Sequence, residues 1–439
     1  MIAFIHDLDI DDLPAAVVRQ VRDCLLDLVG VAAAGSATRL SKIAREHACH
    51  NLRGSADGAR LIFDGRTVSP LGAAFANAAT IDSMDSHDGH RLTKGHAGAA
   101  VLPAALSVLG RATPRWSDLL TALVVGYEVA NRAGMALHSV TSDYHSSGAW
   151  NALGAAAATA RLLGLDSSAT AHALGIAEYE APRGLMMRCI DHPTMVKDSS
   201  AWGAQAGVSA ALLAADGFTG APASLVIGQV DAEGVWGDLG QRWTILEQYF
   251  KPYPVCRWAQ PAVHAVIGLV DAHDIAPRDI QGIEVATFHE ATRLETRLPS
   301  STEEAQYSLP FPVAVAAVHR GLDVDVVTHP HRVDEDVRRL AASLRLEESP
   351  GMTAAFPARR AADVSLVLTD GSRLSSGPTE APGDPEAGLT RSQLNEKFLR
   401  SAAGPLGESR AGRLLDLLRS SGDGCVPELL NEVYAPVGR

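Results

Sequence analysis

The stretch TIDSMDSHDGHRLTKGHAGAA, residues 80 to 100, gathers Asp82, Asp85, His87, Asp88, His90, Arg91, Lys94 and His96 within fifteen positions. Histidine can take up and return a proton near neutral pH, and a neighbouring aspartate can orient it or carry charge. The same residue types are hard and borderline metal ligands. Both flanks, PLGAAFANAA and AAVLPAALSVLG, are small and apolar and are built to be buried. Buried Asp and His are costly unless paired. Three readings therefore stand: a mutually satisfied polar cluster in a catalytic pocket, a metal site, or a solvated loop whose charges point outward. The spacing of Asp85, His87, Asp88 and His90 matches no strong metal template. In HAGAAVLPAAL, His96 stands just ahead of a helix start, where backbone N–H groups favour an anion.

Three further stretches carry comparable chemistry. In DYHSSGAWNALG, His145 precedes a helix; its bland reading is capping or packing. In DHPTMVKDSSAWGA, Lys197 leads into an alanine-rich helix, as a partly desolvated base or anion clamp or simply as a solvated charge. In KPYPVCRWAQPAVHA, Lys251 and Arg257 bracket Cys256 at a change in chain character, and such junctions are preferred ligand sites. Cys256 itself reads as a small buried hydrophobe.

Helices must position most of these groups. DLPAAVVRQVRDCLLDLVGVAAAG, WSDLLTALVVGYEVANRAGMAL and SSAWGAQAGVSAALLAADGFTG space their apolar residues by three and four. SGAWNALGAAAATARLLGLDSSATAHALGIAEYE reads as two helices broken at GLDSS. After residue 245 the character changes. IQGIEVATF alternates like a strand, DVSLVLTDGSRLSS reads as two strands joined by an Asp-Gly turn, and SGPTEAPGDPEAG reads as an exposed loop. TRSQLNEKFLRSAA and SRAGRLLDLLRSS return to helix. The expected architecture is mainly α: a large all-α helical domain over residues 1–245, completed by 392–439, with a smaller inserted α+β lid domain over 246–391. Aromatics are only 5% while alanine runs are frequent, which implies helices packed closely through small residues.

The net charge of −13, with no basic stripe, argues against nucleic acid or an anionic membrane as a partner. An anionic substrate would need local Lys and Arg. No segment approaches the roughly 18 to 20 apolar residues of a membrane span. The acidic N-terminus MIAFIHDLDIDDLP does not read as a signal peptide. Cys24, Cys49, Cys189, Cys256 and Cys425 are odd in number and lack CxxC spacing, which suits reduced thiols and a cytoplasmic setting. Nucleotide-binding glycine motifs of the GxGxxG and GxxxxGK[ST] types are absent.

Taken in order, MDSHDGHRLTKGHAG with VLPAAL, GYEVANR, YHSSGAWNALGAAAATARLLGL, PTMVKDSSAWGAQAGVSAALLAADGFTG, KPYPVCRWAQPAVHA and EEAQYSLPFPVAVAAVHRG resemble the MmgE/PrpD family along nearly the whole chain. The resemblance implies a helical domain with an α+β lid, a homodimer, and activities such as 2-methylcitrate dehydration, cis-aconitate decarboxylation or iminodisuccinate epimerisation. It implies no metal and no organic cofactor. By position, Asp85, His96, His145, Lys197 and Lys251 match the family's site residues.

On that footing His96 and His145 form the expected acid/base pair, with Asp85 orienting or tuning His96 or itself shuttling a proton. Lys197 stabilises developing charge, and Lys251 is a substrate contact from the lid. Asp88, His90, Arg91 and Arg257 are expected to bind a small carboxylate substrate, with Arg183 and Arg188 as further clamps and His87 as support. The chain departs from the family pattern in four places. Gly89 and His90 stand where a hydroxyl residue is common, HAG replaces HPG, Gln260 replaces a frequent histidine, and Phe311 replaces a tyrosine of decarboxylase-like members. The leading expectation is a dehydratase of a hydroxy-polycarboxylate. An epimerase, a decarboxylase, a metal hydrolase and a non-catalytic binding protein are the alternatives.

Overall fold

The computed structural model describes residues 1–55, 58–109, 115–227, 233–420 and 426–438. In chain order the main elements begin with α1 (Ala15–Gly35), α2 (Arg39–Asn51), α3 (Pro70–Asp82), β1 (Gly89–His90), α4 (Gly98–Leu109), α5 (Trp116–Val140), α6 (Gly148–Leu163), α7 (Ser167–Glu180) and α8 (Ser200–Ala215). There follow β2 (Gln248–Tyr249), α9 (Gln260–His273), β3 (Ile280–Thr287), α10 (Thr302–Gln306), α11 (Pro310–His319), α12 (Glu335–Ser343), β4 (Arg345–Glu348) and β5 (Ala361–Leu368). The chain ends with β6 (Arg373–Ser375), β7 (Thr379–Glu380), α13 (Arg391–Leu406), α14 (Glu408–Arg419) and α15 (Val426–Tyr434). The fold is mainly α, with a smaller α+β portion.

Local chemistry sets the helix limits. Ser69 caps α3 through Gly72 N–H at 3.1 Å, with Pro70 in its first turn. The break at GLDSS has two causes. Gly164 ends α6 in the left-handed region at φ +65°, and Asp166 caps α7 through Ala169 N–H at 2.8 Å. The alanine and glycine content lets α5, α6 and α8 approach nearly backbone to backbone. A Cβ on Gly154 would lie 2.3 Å from the Gly126 carbonyl oxygen. Substituting any larger residue there forces the α5–α6 contact apart. Among the described residues, no single helix is long and apolar enough to cross a membrane.

The main sheet runs in the order β4-β3-β5-β6, with β7 on the end of β5; β3 and β4 are parallel and the other pairs antiparallel. α9 packs on this sheet and α11 on α9, while Trp258, Phe288 and Phe356 fill the corner with ring centroids 4.9 to 6.3 Å apart. SGPTEAPGDPEAG is not the exposed loop its composition suggests. Thr379 and Glu380 pair with β5, and Ala381 and Asp384 are buried. The buried Arg257 guanidinium explains the difference: it donates to the Ala381 and Pro382 carbonyls and pairs with Asp384 at 2.8 Å, drawing the loop inward.

Two contacts bring the parts of the chain together around residues 80–100. β1 pairs antiparallel with β2, Gly89 opposite Tyr249 and His90 opposite Gln248, which delivers Lys251 to the polar stretch. α13 packs on α1, and its buried Lys397 pairs with Asp27 at 2.5 Å and donates to the Ser86 carbonyl at 2.6 Å. Cys24, Cys49, Cys189 and Cys256 are free thiols, and Cys425 lies outside the described residues.

Candidate active site

The segment after α3 turns sharply into the interior. The Ser83 hydroxyl donates to the Thr80 carbonyl at 2.8 Å, and Asp85, His87, Asp88 and His96 are all buried. The solvated-loop reading of this stretch is thereby excluded. At the centre, the Lys251 ammonium donates to the Asp85 carboxylate and lies 3.5 Å from His96 Nε2. Asp85 Oδ1 is 3.8 Å and Asp198 Oδ2 3.6 Å from the same nitrogen. His96 Nδ1 sits 2.6 Å from the Asp88 carbonyl oxygen, which can only accept. Nδ1 therefore carries the proton, and Nε2 presents its lone pair to the cluster.

The backbone of His96 is fixed as firmly as its ring. Its N–H donates to Ser147 Oγ at 2.9 Å, and Asn151 donates to its carbonyl at 3.1 Å. Ser147 in turn donates to Asp198 at 3.0 Å, so the starts of α6 and α8 hold both ends of this arrangement. Lys197 is buried and adopts φ +52°, and Ser199 adopts φ +59°. Non-glycine residues rarely hold this left-handed conformation, and such strain gathers at functional sites. The Lys197 ammonium donates to Gln306 Oε1 at 2.8 Å and lies 4.5 Å from the Tyr307 ring centroid. Among the described residues, no carboxylate lies within 4 Å of it. Gln306 also accepts from the Asp85 N–H at 2.5 Å, tying Lys197 and Asp85 to the short helix α10.

The charges follow from these contacts. Burial would raise the Asp85 carboxyl, but Lys251 and Lys197 outweigh it and hold Asp85 well below the usual carboxylate range. Burial lowers Lys251, yet Asp85 more than compensates, so its ammonium persists. Burial, with Lys251 and His87 adding to it, pushes His96 well below its ordinary value and leaves it neutral. Asp198 behaves oppositely to Asp85: burial and the neighbouring Asp82 and Asp85 raise it to about 7. Burial and Asp27 likewise raise Asp88 to about 7. The site thus combines a neutral imidazole, a buried ammonium, an ionised carboxylate and a carboxyl that titrates near neutrality.

Asp85, His87 and His96 each bring one possible metal-ligand atom to within 4.8 Å of the others. The Lys251 ammonium already sits on two of these three donors, at Asp85 and beside His96, and a dication there would face it directly. The donor set therefore fits a buried ion pair better than a metal.

Of the residues singled out in the sequence, Asp85, His96, Lys197 and Lys251 meet in one cluster. Asp88 contributes its backbone carbonyl to it, while its carboxylate accepts from Tyr127 at 3.0 Å. His145 belongs to a different group: its N–H donates to His138 Nε2 at 3.1 Å, and its ring stacks on His138 with centroids 6.5 Å apart. His90 contacts Glu247 at 3.2 Å, and Arg91 pairs with Glu386 at 2.5 Å. Arg183 and Arg188 are exposed. Arg257 serves the 381–384 loop, and the Gln260 amide donates to the Tyr253 and Val255 carbonyls at 2.9 and 2.8 Å. The Cys256 thiol is pushed up to about 12 by burial and nearby Asp85, as an inert core residue would be.

Asp198, Gln306 and Tyr249 escaped the sequence reading. Asp198 directly follows Lys197, and that adjacency was the available cue. Tyr249 explains Gly89, because a Cβ there would lie 2.5 Å from the Tyr249 hydroxyl and 2.7 Å from His96 Nδ1.

Two family models match this chain: MmgE/PrpD N-terminal domain over residues 1–231 and MmgE/PrpD C-terminal domain over residues 253–422. The chain is 25% identical to a cis-aconitate decarboxylase of Homo sapiens over 450 residues, covering 95% of this chain and 90% of that protein. A cis-aconitate decarboxylase of Mus musculus is 26% identical over 430 residues, with 91% and 85% covered. A cis-aconitate decarboxylase of Aspergillus terreus is 30% identical over 222 residues, covering 48% and 44%.

Proposed function

The chain belongs to the MmgE/PrpD family and is an enzyme of the lyase class, and from that premise we propose that it dehydrates a small hydroxy-polycarboxylate without a cofactor. The observation that carries the reading is the unprotonated Nε2 of neutral His96, 3.6 Å from the near-neutral Asp198 carboxyl and 3.5 Å from the Lys251 ammonium. A substrate carboxylate is drawn to Lys197, the buried ammonium without a carboxylate partner, and to Lys251. His96 Nε2 removes the proton from the carbon next to that carboxylate. The ammonium groups stabilise the enediolate-like charge that develops.

Asp198, protonated below about pH 7, gives its proton to the departing hydroxyl, and water leaves. Imidazolium and carboxylate then stand side by side, and transfer of the proton from His96 to Asp198 restores the starting state. One hydrogen and one hydroxyl leave the substrate, and the enzyme is unchanged. His145 lies outside this step, and Asp198 takes the acid role first expected of it.

A decarboxylation is the second reading, favoured by the names of the relatives matched. It needs a proton delivered to carbon after carbon dioxide leaves, and Phe311 lacks the hydroxyl that decarboxylase-like members carry at this position. Proton NMR in deuterated buffer with citrate, 2-methylcitrate, cis-aconitate, tartrate and iminodisuccinate separates the readings. Unsaturated product with water loss supports dehydration, release of carbon dioxide supports decarboxylation, and deuterium uptake alone supports epimerisation. Wild-type turnover in both His96→Ala and Lys197→Ala would overturn the site assignment.

The proposal includes a homodimer. Its support is the exposed apolar side chains of Ile43, Val196 and Trp202 around a cavity of about 290 Å³ beside α2, α3 and α8. Light scattering checks it, and a monomer at micromolar concentration refutes it.

A further inference from the structure

We infer that Arg360 is a substrate-binding residue that holds a carboxylate of the substrate other than the one drawn to Lys197 and Lys251; this deepens the reading above and rests on it. Arg360 lies immediately before β5, and only 3% of its surface is exposed. Its Nη2 donates to the Arg91 carbonyl at 3.2 Å, while Nε and Nη1 are buried without any hydrogen-bond partner. A buried guanidinium with two unanswered nitrogens is costly, and a carboxylate can accept from either of them alongside the second hydrogen of Nη2. The nearby Arg257, by contrast, is satisfied by Asp384 and two backbone carbonyls.

The free guanidinium belongs to the catalytic neighbourhood. Its Cζ stands 5.2 Å from the Tyr249 ring centroid, and the same ring lies 6.4 Å from the His96 ring. Lys94 adds a second cation on this side. It adopts φ +55° and rests 3.9 Å from the Tyr144 ring centroid. Among the described residues, neither Lys94 nor Arg360 has a carboxylate within 4 Å. In a chain of net charge −13, a buried guanidinium with unmet donors, one aromatic ring away from the reacting histidine, marks where an anion is meant to sit. Arg91, the arginine that the sequence offered as a clamp, instead pairs with Glu386 and lends its carbonyl to hold Arg360.

The test is calorimetric binding of tricarballylate, an unreactive tricarboxylate, and of propionate, to the wild-type chain, Arg360→Gln and Arg360→Lys. Circular dichroism and thermal melting confirm that each variant is folded. The inference expects tricarballylate affinity to fall at least tenfold in Arg360→Gln and to recover partly in Arg360→Lys. Propionate affinity should be unchanged, and on a turned-over substrate KM should rise more than kcat falls. Equal tricarballylate affinity in wild type and Arg360→Gln overturns the inference, even if the substrate panel shows dehydration. Arg360-dependent binding with no turnover of any panel member sustains the inference and overturns the dehydratase reading. No tricarballylate binding and no turnover in the wild type overturns both. Should Arg360→Gln not fold, Arg360→Lys decides alone: an unchanged tricarballylate affinity there, where a point charge replaces the fork, overturns the inference.

Discussion

Replacing Lys251 by methionine should destroy the base without touching it. At an effective dielectric constant of about 20, the Lys251 ammonium 3.5 Å from His96 Nε2 disfavours an imidazolium by about 4.7 kcal/mol. The Asp85 carboxylate at 3.8 Å favours it by about 4.4 kcal/mol. The two nearly cancel, so burial is left to keep His96 neutral. With Lys251 removed, Asp85 acts alone and the imidazolium wins. The converse change, Asp85→Asn, leaves Lys251 unopposed and drives His96 further toward the neutral form. The double variant removes both charges and should restore a neutral ring.

The assay is the titration of His96 Cε1 by NMR on histidine-labelled free enzyme, which separates this effect from substrate binding, alongside the pH profile of kcat/KM. Lys251→Met should show His96 protonated at pH 7, with kcat/KM down at least ~100-fold there and partly recovered on the alkaline side. Removing one member of a buried pair also costs roughly 3–5 kcal/mol of stability, with less lost in the double variant. A His96 that stays neutral in Lys251→Met, or that moves in the same direction in both single variants, refutes the electrostatic account.

Other expectations follow from neighbouring contacts. Asp198→Asn should abolish the alkaline fall of kcat/KM near pH 7 and lower kcat at least ~10-fold, since the general acid is gone; a pH–rate profile identical to wild type counts against that role. Gly89→Ala should lower kcat by pushing a Cβ into the Tyr249 hydroxyl and His96 Nδ1, and Tyr249→Phe in the same chain should restore part of it; no loss in the single variant contradicts the close approach. Lys397→Met should cost about 3 kcal/mol in urea unfolding by leaving Asp27 buried and unpaired; a cost under about 1 kcal/mol shows that the pair is solvated. Asp88 and Asp198 are raised on folding from an ordinary carboxyl value to about 7, so the folded state holds more protons between about pH 4 and 7. Their contribution to stability should therefore decline as pH rises through that window, and Asp88→Asn should flatten the decline in denaturation curves taken at stepped pH.

The helices were legible because each carries its own boundary. Apolar spacing, the Gly164–Asp166 break and the Ser69–Pro70 start are local features, and the structure places helices where they fall. The Asp-Gly hairpin of β5 and β6 was readable for the same reason. SGPTEAPGDPEAG was misread because its conformation is decided by a distant guanidinium, Arg257, and composition cannot report a partner more than a hundred residues away.

The site divides along the same line. Asp85, His96, Lys197 and Lys251 announce themselves as charged residues in segments built to be buried, and such groups must find one another. Where a charge finds a private partner instead, as Arg91 finds Glu386 and His90 finds Glu247, it leaves the cluster, and residue type alone cannot foretell that. Asp198 and Arg360 were passed over for the opposite reason. Asp198 stands beside the more conspicuous Lys197, Arg360 lies in a stretch with no motif, and the importance of each lies in what it lacks: Asp198 Oδ1 and Arg360 Nε and Nη1 are buried without partners. An unmet hydrogen bond in a closed interior is visible only in three dimensions. Among the unmet groups, the Asp198 oxygen beside His96 and the Arg360 donors across the Tyr249 ring complement a substrate that brings both a hydroxyl to be protonated and a carboxylate to be held.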